Sequence, residues 1–249
     1  MHLILTGATG LVGTAVLHTM LTTPSISKIS ILSRKPVPQA DGHPQAKVFI
    51  TNDLNNYEKN VLEELRDAKG VVWALGISST QVDKPEYEKI TYDYPLAFAR
   101  AISSATSPNP INFVYVSAEG ATTTPGMLTP HWCGIKGKAE SSLLELSKSQ
   151  EYSNIRPISL RPCGVDPKEH TEIHDFVPEK QGFAKMVESA LLPPLRMLWP
   201  RMMSPTRELG KVLTELAMGE GKAFPEKDEG VSGEGRTLNN VAQRRLAGL

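Results

Sequence analysis

The sequence predicts an α/β fold: a doubly wound parallel sheet with a small C-terminal cap on the substrate side. Three observations predict it. Short apolar runs alternate with helical patterns from residue 2 to residue 162. The first run ends in a glycine-rich turn, "TGATGLVG", that opens a helix. The 249 residues, 40% of them hydrophobic, are enough for one large domain with its own core.

The elements follow in order. "HLILTG" (His2–Gly7) is a short apolar run ending in glycine, a buried strand. Leu11–Leu21 places Val12, Val16, Leu17 and Met20 at helical spacing. "KISILS" (Lys28–Ser33) and "AKVFI" (Ala46–Ile50) are the second and third strands, joined by a loop bearing Pro and Gly. Val61, Leu62 and Leu65 mark a helix ending near Gly70, and "GVVWALG" (Gly70–Gly76) is the fourth strand. Ile90, Ala97, Phe98, Ala101 and Ile102 mark a long helix with Pro95 as its kink or boundary. "INFVYVS" (Ile111–Ser117) is the fifth strand, Lys136–Lys148 a helix, and "PISLRP" (Pro157–Pro162) the sixth strand. Strict alternation of this kind indicates a Rossmann-type sheet with right-handed crossovers. Residues 1–165 form its NAD(P)-binding core, 166–225 a substrate-side segment and helix of the same domain, and 226–249 a mobile tail. In the second of these, "SPTRELGKVLTELAMG" has Ser204 as N-cap, Pro205 at the first helical position and Gly219 as its stop. The apolar, basic "LLPPLRMLWPRMM" (Leu191–Met203) resembles the lid that folds of this type place over a substrate cleft, and by that resemblance it is expected to cover the cleft rather than touch a membrane. The tail expectation rests on the charged, glycine-rich stretch Pro225–Arg236.

Lys plus Arg number 27 and Asp plus Glu 27, which argues against broad electrostatic capture of nucleic acid. Cys133 and Cys163 are too few for a disulfide scaffold or a thiolate zinc site. The spacing of His131, His170 and His174 matches no familiar ligand set, so no metal is expected. No run approaches the ~20 apolar residues of a membrane span, and the start has no signal-peptide pattern. A cytoplasmic monomer or homodimer acting on a small molecule is the expectation.

The glycines of Thr6–Gly13 stand three apart at Gly7, Gly10 and Gly13. Glycine there permits a tight turn and close backbone approach to a pyrophosphate, and the helix N-terminus offers free N–H groups and a favourable dipole. The second strand ends in Ser33, Arg34 and Lys35. An acid at this point would bind the ribose hydroxyl of NAD, whereas cations suit the extra phosphate of NADP. NADP(H) is therefore expected over NAD(H). Asp53, with Leu54 beside it, either meets the adenine edge or caps the next helix.

Together, "TGATGLVG", Ser33–Arg34, "ALG" (Ala74–Gly76), "VYVSAEGA" (Val114–Ala121), "KGKAE" (Lys136–Glu140) and "LRP" (Leu160–Pro162) resemble the short-chain dehydrogenase/reductase superfamily in its atypical, NAD(P)-binding branch. Within it the sequence is most like the Tat-interacting oxidoreductase-like proteins and small epimerase-like proteins. The resemblance implies that Gly7, Thr9, Gly10, Leu11, Val12 and Gly13 hold the pyrophosphate. It implies that Arg34 meets the adenosine phosphate and that Ala74, Leu75 and Gly76 line the cofactor. Lys136 would reach the nicotinamide ribose, and Pro162 to Val165 would pass the nicotinamide.

The reductases of that superfamily use a Ser, a Tyr and a Lys. The Tyr passes the substrate proton, the Lys lowers its pKa and holds the ribose, and the Ser steadies the carbonyl oxygen. Ser117 and Lys136 match. Four residues before Lys136, where the Tyr belongs, stands Trp132, whose indole N–H is no general acid near neutral pH. Trp132 is then a packing residue or a wall of the substrate pocket, with Ser78 and Cys163 as further pocket residues. His131 is the nearest substitute proton donor, although a helix turns ~100° between neighbours. Tyr92, Tyr94, Tyr115 and Cys133 are others. Three functions remain open: an NADPH-dependent reductase of a small carbonyl compound, a non-redox isomerase, dehydratase or cyclase using the same pocket, and a non-catalytic NADP(H)-responsive binding protein.

Overall fold

The computed structural model describes residues 1–177, 194 and 196–249. Its elements run β1 (His2–Thr6), α1 (Leu11–Thr22), β2 (Lys28–Ser33), β3 (Ala46–Ile50), α2 (Lys59–Leu65), β4 (Gly70–Trp73), α3 (Lys84–Glu88), α4 (Tyr94–Thr106), β5 (Ile111–Val116) and α5 (His131–Lys148). They continue with β6 (Ile155–Leu160), β7 (Gly164–Asp166), β8 (Met203–Pro205), α6 (Thr206–Met218), β9 (Val231–Ser232), β10 (Thr237–Leu238) and α7 (Asn240–Ala247). The main sheet has the order β3-β2-β1-β4-β5-β6-β10-β9, and a separate pair joins β7 to β8. Strands β1 to β6 are parallel, β10 joins parallel to β6, and β9 is antiparallel. This is the predicted doubly wound sheet.

The near-continuous apolar strands are explained by burial on both faces. Leu3 and Leu5 of β1 point into one core with Val16, Leu17, Met20, Leu209, Val212 and Leu213 from α1 and α6. Ile4, between them, points into the other with Phe98, Ile102, Phe113, Ala139 and Leu143 from α4, β5 and α5. The alternation of a strand thus divides one apolar run between two helix layers. Each such fully buried Leu or Ile contributes about 1.5–3 kcal/mol over its exposed state.

Pro95 is a boundary. The helix expected around it is divided into α3, a wide π turn at Lys89–Asp93, and α4 with Pro95 in its first turn. Proline has no N–H to give the Thr91 carbonyl four residues earlier. That carbonyl accepts the Tyr115 hydroxyl at 3.0 Å, which anchors the ring of a β5 residue to the π turn.

The structure corrects three expectations. Residues 226–249 are no loose tail. β10 extends the sheet beyond β6, and Asn239 accepts the Val241 and Ala242 N–H groups to cap α7. The glycines that read as flexibility serve tight geometry, with Gly230, Gly233 and Gly235 all at positive φ. Ser204 is not the N-cap of α6. It lies in β8, fully buried, and its hydroxyl faces Asn240 at 2.7 Å and Gln243 at 2.9 Å; Pro205 occupies the cap position. Gly219 does end that helix. Asp53 does not cap α2, which starts six residues later; it accepts the Asn55 N–H at 2.9 Å and the Asn56 amide at 2.7 Å within its own turn. Part of the expected cap, at 178–193 and 195, lies outside the described residues. Among the described residues no helix is long and apolar enough to cross a membrane.

Candidate active site

The glycine turn, Ser33–Arg34, Ala74–Gly76, Ser117 and Pro162 lie at or just beyond the carboxyl ends of parallel strands, the side on which open α/β sheets bind ligands, while Lys136–Glu140 lies within α5. The turn after β1 shows why. Gly7 sits at φ +72°, and a Cβ there would come within 2.4 Å of the Ala74 carbonyl oxygen. A Cβ on Gly13 would come within 2.0 Å of the Gly7 oxygen. The protein's own backbone therefore dictates both glycines. It does not dictate Gly10, whose Cβ would meet that oxygen at an ordinary 3.4 Å. Gly10 begins α1, which has no side-chain cap. The first-turn N–H groups lack helical partners by construction, so the cradle fits a bound phosphate. Thr9 is exposed, Leu11 and Val12 are half-buried, and Thr6 Oγ1 accepts the Leu75 N–H at 3.3 Å, tying this turn to the Ala74–Gly76 loop.

Ser33 is buried at the end of β2, and its hydroxyl accepts the Lys35 N–H at 3.2 Å, which shapes the turn. Arg34 and Lys35 are both exposed, with no ion pair among the described residues. Leu54 packs in the core beneath the β3 loop. The carboxylate of Asp53 is held below its usual range, first by the Asn56 amide.

The chemistry-bearing half is the junction of β5 and α5. Ser117 continues β5 by donating its N–H to the Leu160 carbonyl at 2.8 Å. It is 4% exposed, and its hydroxyl has no protein partner among the described residues. Buried hydroxyls are rarely orphaned, so this one is a natural contact for a ligand oxygen. Lys136 Nζ donates to the Val116 carbonyl at 3.4 Å and lies 5.7 Å from the centre of the Tyr115 ring. Burial pulls its pKa down to about 8, against a smaller opposing pull from Glu140. Trp132 shares the Lys136 face of α5, one turn earlier, and its ring edge packs over Gly120 in the loop after Ser117.

The other proposed donors are placed elsewhere or engaged. His131 is exposed at the first position of α5, its ring 6.2 Å from that of Tyr87. Tyr115 is buried, and burial raises its phenol well above the ordinary value. Tyr92 accepts a bond from Ser142, and Tyr94 lies beneath Lys89. Burial pushes the thiols of Cys133 and Cys163 up. Ser78 is exposed, its hydroxyl 2.9 Å from that of Thr80. Pro162 and Val165 follow β6, where Pro162 accepts the Glu119 N–H at 2.9 Å and Val165 pairs with Ser204 across β7 and β8.

Two structural supports of the site escaped the sequence reading. Glu140, one turn after Lys136, forms a two-pronged buried pair with Arg161 at 2.9 and 2.5 Å. Glu119 accepts the Asn240 N–H at 3.1 Å, so the C-terminal helix holds the loop after Ser117. The signal for the first was an arginine closing an apolar strand, "ISLR"; no local signal announced the second.

No family model matches the chain. It is 33% identical, over an alignment of 261 residues, to leucinostatins biosynthesis cluster protein T of Purpureocillium lilacinum, covering 98% of this chain and 94% of that protein. It is 37% identical over 143 residues to botcinic acid biosynthesis cluster B protein 16 of Botryotinia fuckeliana, covering 57% of this chain and 89% of that protein. The PhqB reductase domain of Penicillium fellutanum superposes with a TM-score of 0.66 at 17% identity, covering 90% of this chain and 65% of that one. A short-chain dehydrogenase/reductase family oxidoreductase of Burkholderia thailandensis gives 0.67 at 12% identity, covering 96% and 90%. The fold is that of a short-chain dehydrogenase/reductase. The chain belongs to the family of leucinostatins biosynthesis cluster protein T.

Proposed function

We propose that the chain is an NADP(H)-dependent oxidoreductase that reduces a small, fairly apolar carbonyl compound. One observation carries the reading: the unpartnered, buried Ser117 hydroxyl and the half-buried Lys136 amine flank the same strand end, beside a glycine cradle shaped for a pyrophosphate. When bound, the dihydronicotinamide supplies the hydride. Gly7–Gly13 and the amides of α1 hold its pyrophosphate, and Arg34 and Lys35 meet the adenosine phosphate. Ser117 donates to the substrate carbonyl oxygen, and Lys136 supplies positive charge beside it. Trp132 walls the pocket and excludes water. Relatives named for biosynthesis clusters support a biosynthetic setting for the reaction.

The test is direct. NADPH binding is measured by quenching of protein fluorescence, and a panel of carbonyl compounds is then followed by loss of NADPH absorbance. Tight NADPH binding with substrate-dependent oxidation is expected; failure to bind either dinucleotide would overturn the reading. The indole at position 132 favours one second reading, a non-redox isomerisation or dehydration in the same pocket. Product formed with no net change in NADPH would establish that instead.

A further inference from the structure

The junction lacks its expected proton donor, and this inference rests on the redox reading above. Each titratable group packed around the gap can be taken in turn. Tyr115 on β5 spends its hydroxyl on the Thr91 carbonyl. Tyr87 on α3 is 2% exposed, and burial raises its phenol. Cys133 is buried, its thiol pushed up. His131 leans on Tyr87 from the exposed start of α5. Glu140 is clamped by Arg161, a base already neutralised.

What remains is the amine of Lys136. It is held between the Val116 carbonyl and the Tyr115 ring, and among the described residues no carboxylate lies within ion-pair distance of it. Burial without a counter-ion favours the neutral amine. We propose that Lys136 Nζ itself passes the proton to and from the substrate oxygen, the task a tyrosine at position 132 would otherwise perform. In reduction, the carbonyl carbon accepts hydride from NADPH and the π pair moves onto oxygen. That oxygen takes a proton from the Lys136 ammonium, leaving a neutral amine that solvent reprotonates. In the reverse direction the neutral amine removes the alcohol proton as hydride leaves to NADP⁺. Its pKa of about 8 allows both states near neutral pH. The ring beneath it is pinned, because Tyr115 is anchored at the turn that Pro95 opens.

Two measurements test this. Competitive reductive methylation of the cofactor-free chain, read by mass spectrometry across pH, gives the titration of each lysine. Lys136 is expected to react with a midpoint near 8, well before the exposed lysines; titration together with them overturns the proposal whether or not a substrate is known. The second uses Lys136→Arg with 9,10-phenanthrenequinone as the carbonyl probe. Arginine keeps the positive charge but cannot release a proton in this range. At saturating NADPH, turnover should fall by about 100-fold or more. Wild-type reduction should decline above pH 8 and the reverse reaction rise there. Turnover by Lys136→Arg close to wild type overturns the donor role. Loss of NADPH binding by the wild type would instead defeat the redox reading itself.

Discussion

The cradle after β1 and the junction of β5 with α5 lie on the same side of one sheet, yet they tolerate change differently. In the cradle, a Cβ on Gly7 or Gly13 would meet backbone atoms at 2.4 and 2.0 Å, so the fold itself forbids any other residue. At the junction, the large indole of Trp132 packs over Gly120. Backbone closeness also fixes a glycine at the junction, where a Cβ on Gly137 would come within 1.9 Å of the Thr122 carbonyl oxygen; the junction differs in the bulky side chains it carries around that glycine.

Substitutions can break or sharpen that contrast. The largest effect is expected from Gly13→Ala, which should cost about 3 kcal/mol or more in urea unfolding because its Cβ meets rigid backbone. Gly10→Ala should leave the midpoint nearly unchanged but weaken NADPH. Equal stability of the two variants would break the comparison. Next comes Glu140→Gln, which strands Arg161 beside a group that cannot balance its charge, at about 3–5 kcal/mol. Adding Arg161→Met should recover part of that loss. Arg34→Ala with Lys35→Ala should lower NADPH affinity roughly tenfold or more and spare NADH. Their exposed positions should keep unfolding within about 0.5 kcal/mol of wild type.

The smallest effects separate the regions by pH. His170 packs edge-on against His18 of α1, the cradle helix, with ring centres 5.0 Å apart. Burial lowers its pKa from an ordinary 6.5 to about 4. Between those values the unfolded chain holds more protons, so stability should fall as pH drops from 6.5 toward 4. His170→Phe should flatten that acid limb. Lys136 titrates at about 8 against an ordinary 10.5, so the unfolded chain again holds more protons in between. Stability should rise with pH across that interval, and Lys136→Met should remove the rise. Thermal unfolding across pH reads both.

The first six strands were legible because a strand buried on both faces reads as an unbroken apolar run, and such runs survive without any knowledge of partners. β2 and β3 match their expected bounds, Lys28–Ser33 and Ala46–Ile50. β10 was not legible. Two residues, Thr237 and Leu238, carry no periodicity, and only pairing with β6 makes them a strand. The glycines around them read as looseness because sequence shows glycine's freedom but not the turn that uses it. The glycine turn was legible as the junction of a strand and a helix, but the backbone closeness that dictates Gly7 and Gly13 was not. The gap at Trp132 was visible too, but its surroundings were not. Tyr87 and Arg161 come from other elements, and only the fold brings them to α5, where Glu140 stands one turn after Lys136.

The short β9 has a further consequence. A sheet has two lateral margins, each a row of unpaired amides that can recruit a foreign strand. At one margin this molecule offers just Val231 and Ser232 before the chain bends away through Gly233 and Gly235. At the other, β3 sets Lys47 outward, paired with Glu64 at 3.2 Å and lying over Phe49. An intruding strand finds too little length on one side and a charge on the other. The residues that read as a mobile tail are thus a safeguard against intermolecular sheet growth, and removing them would bare β6 at Ser159 and Leu160.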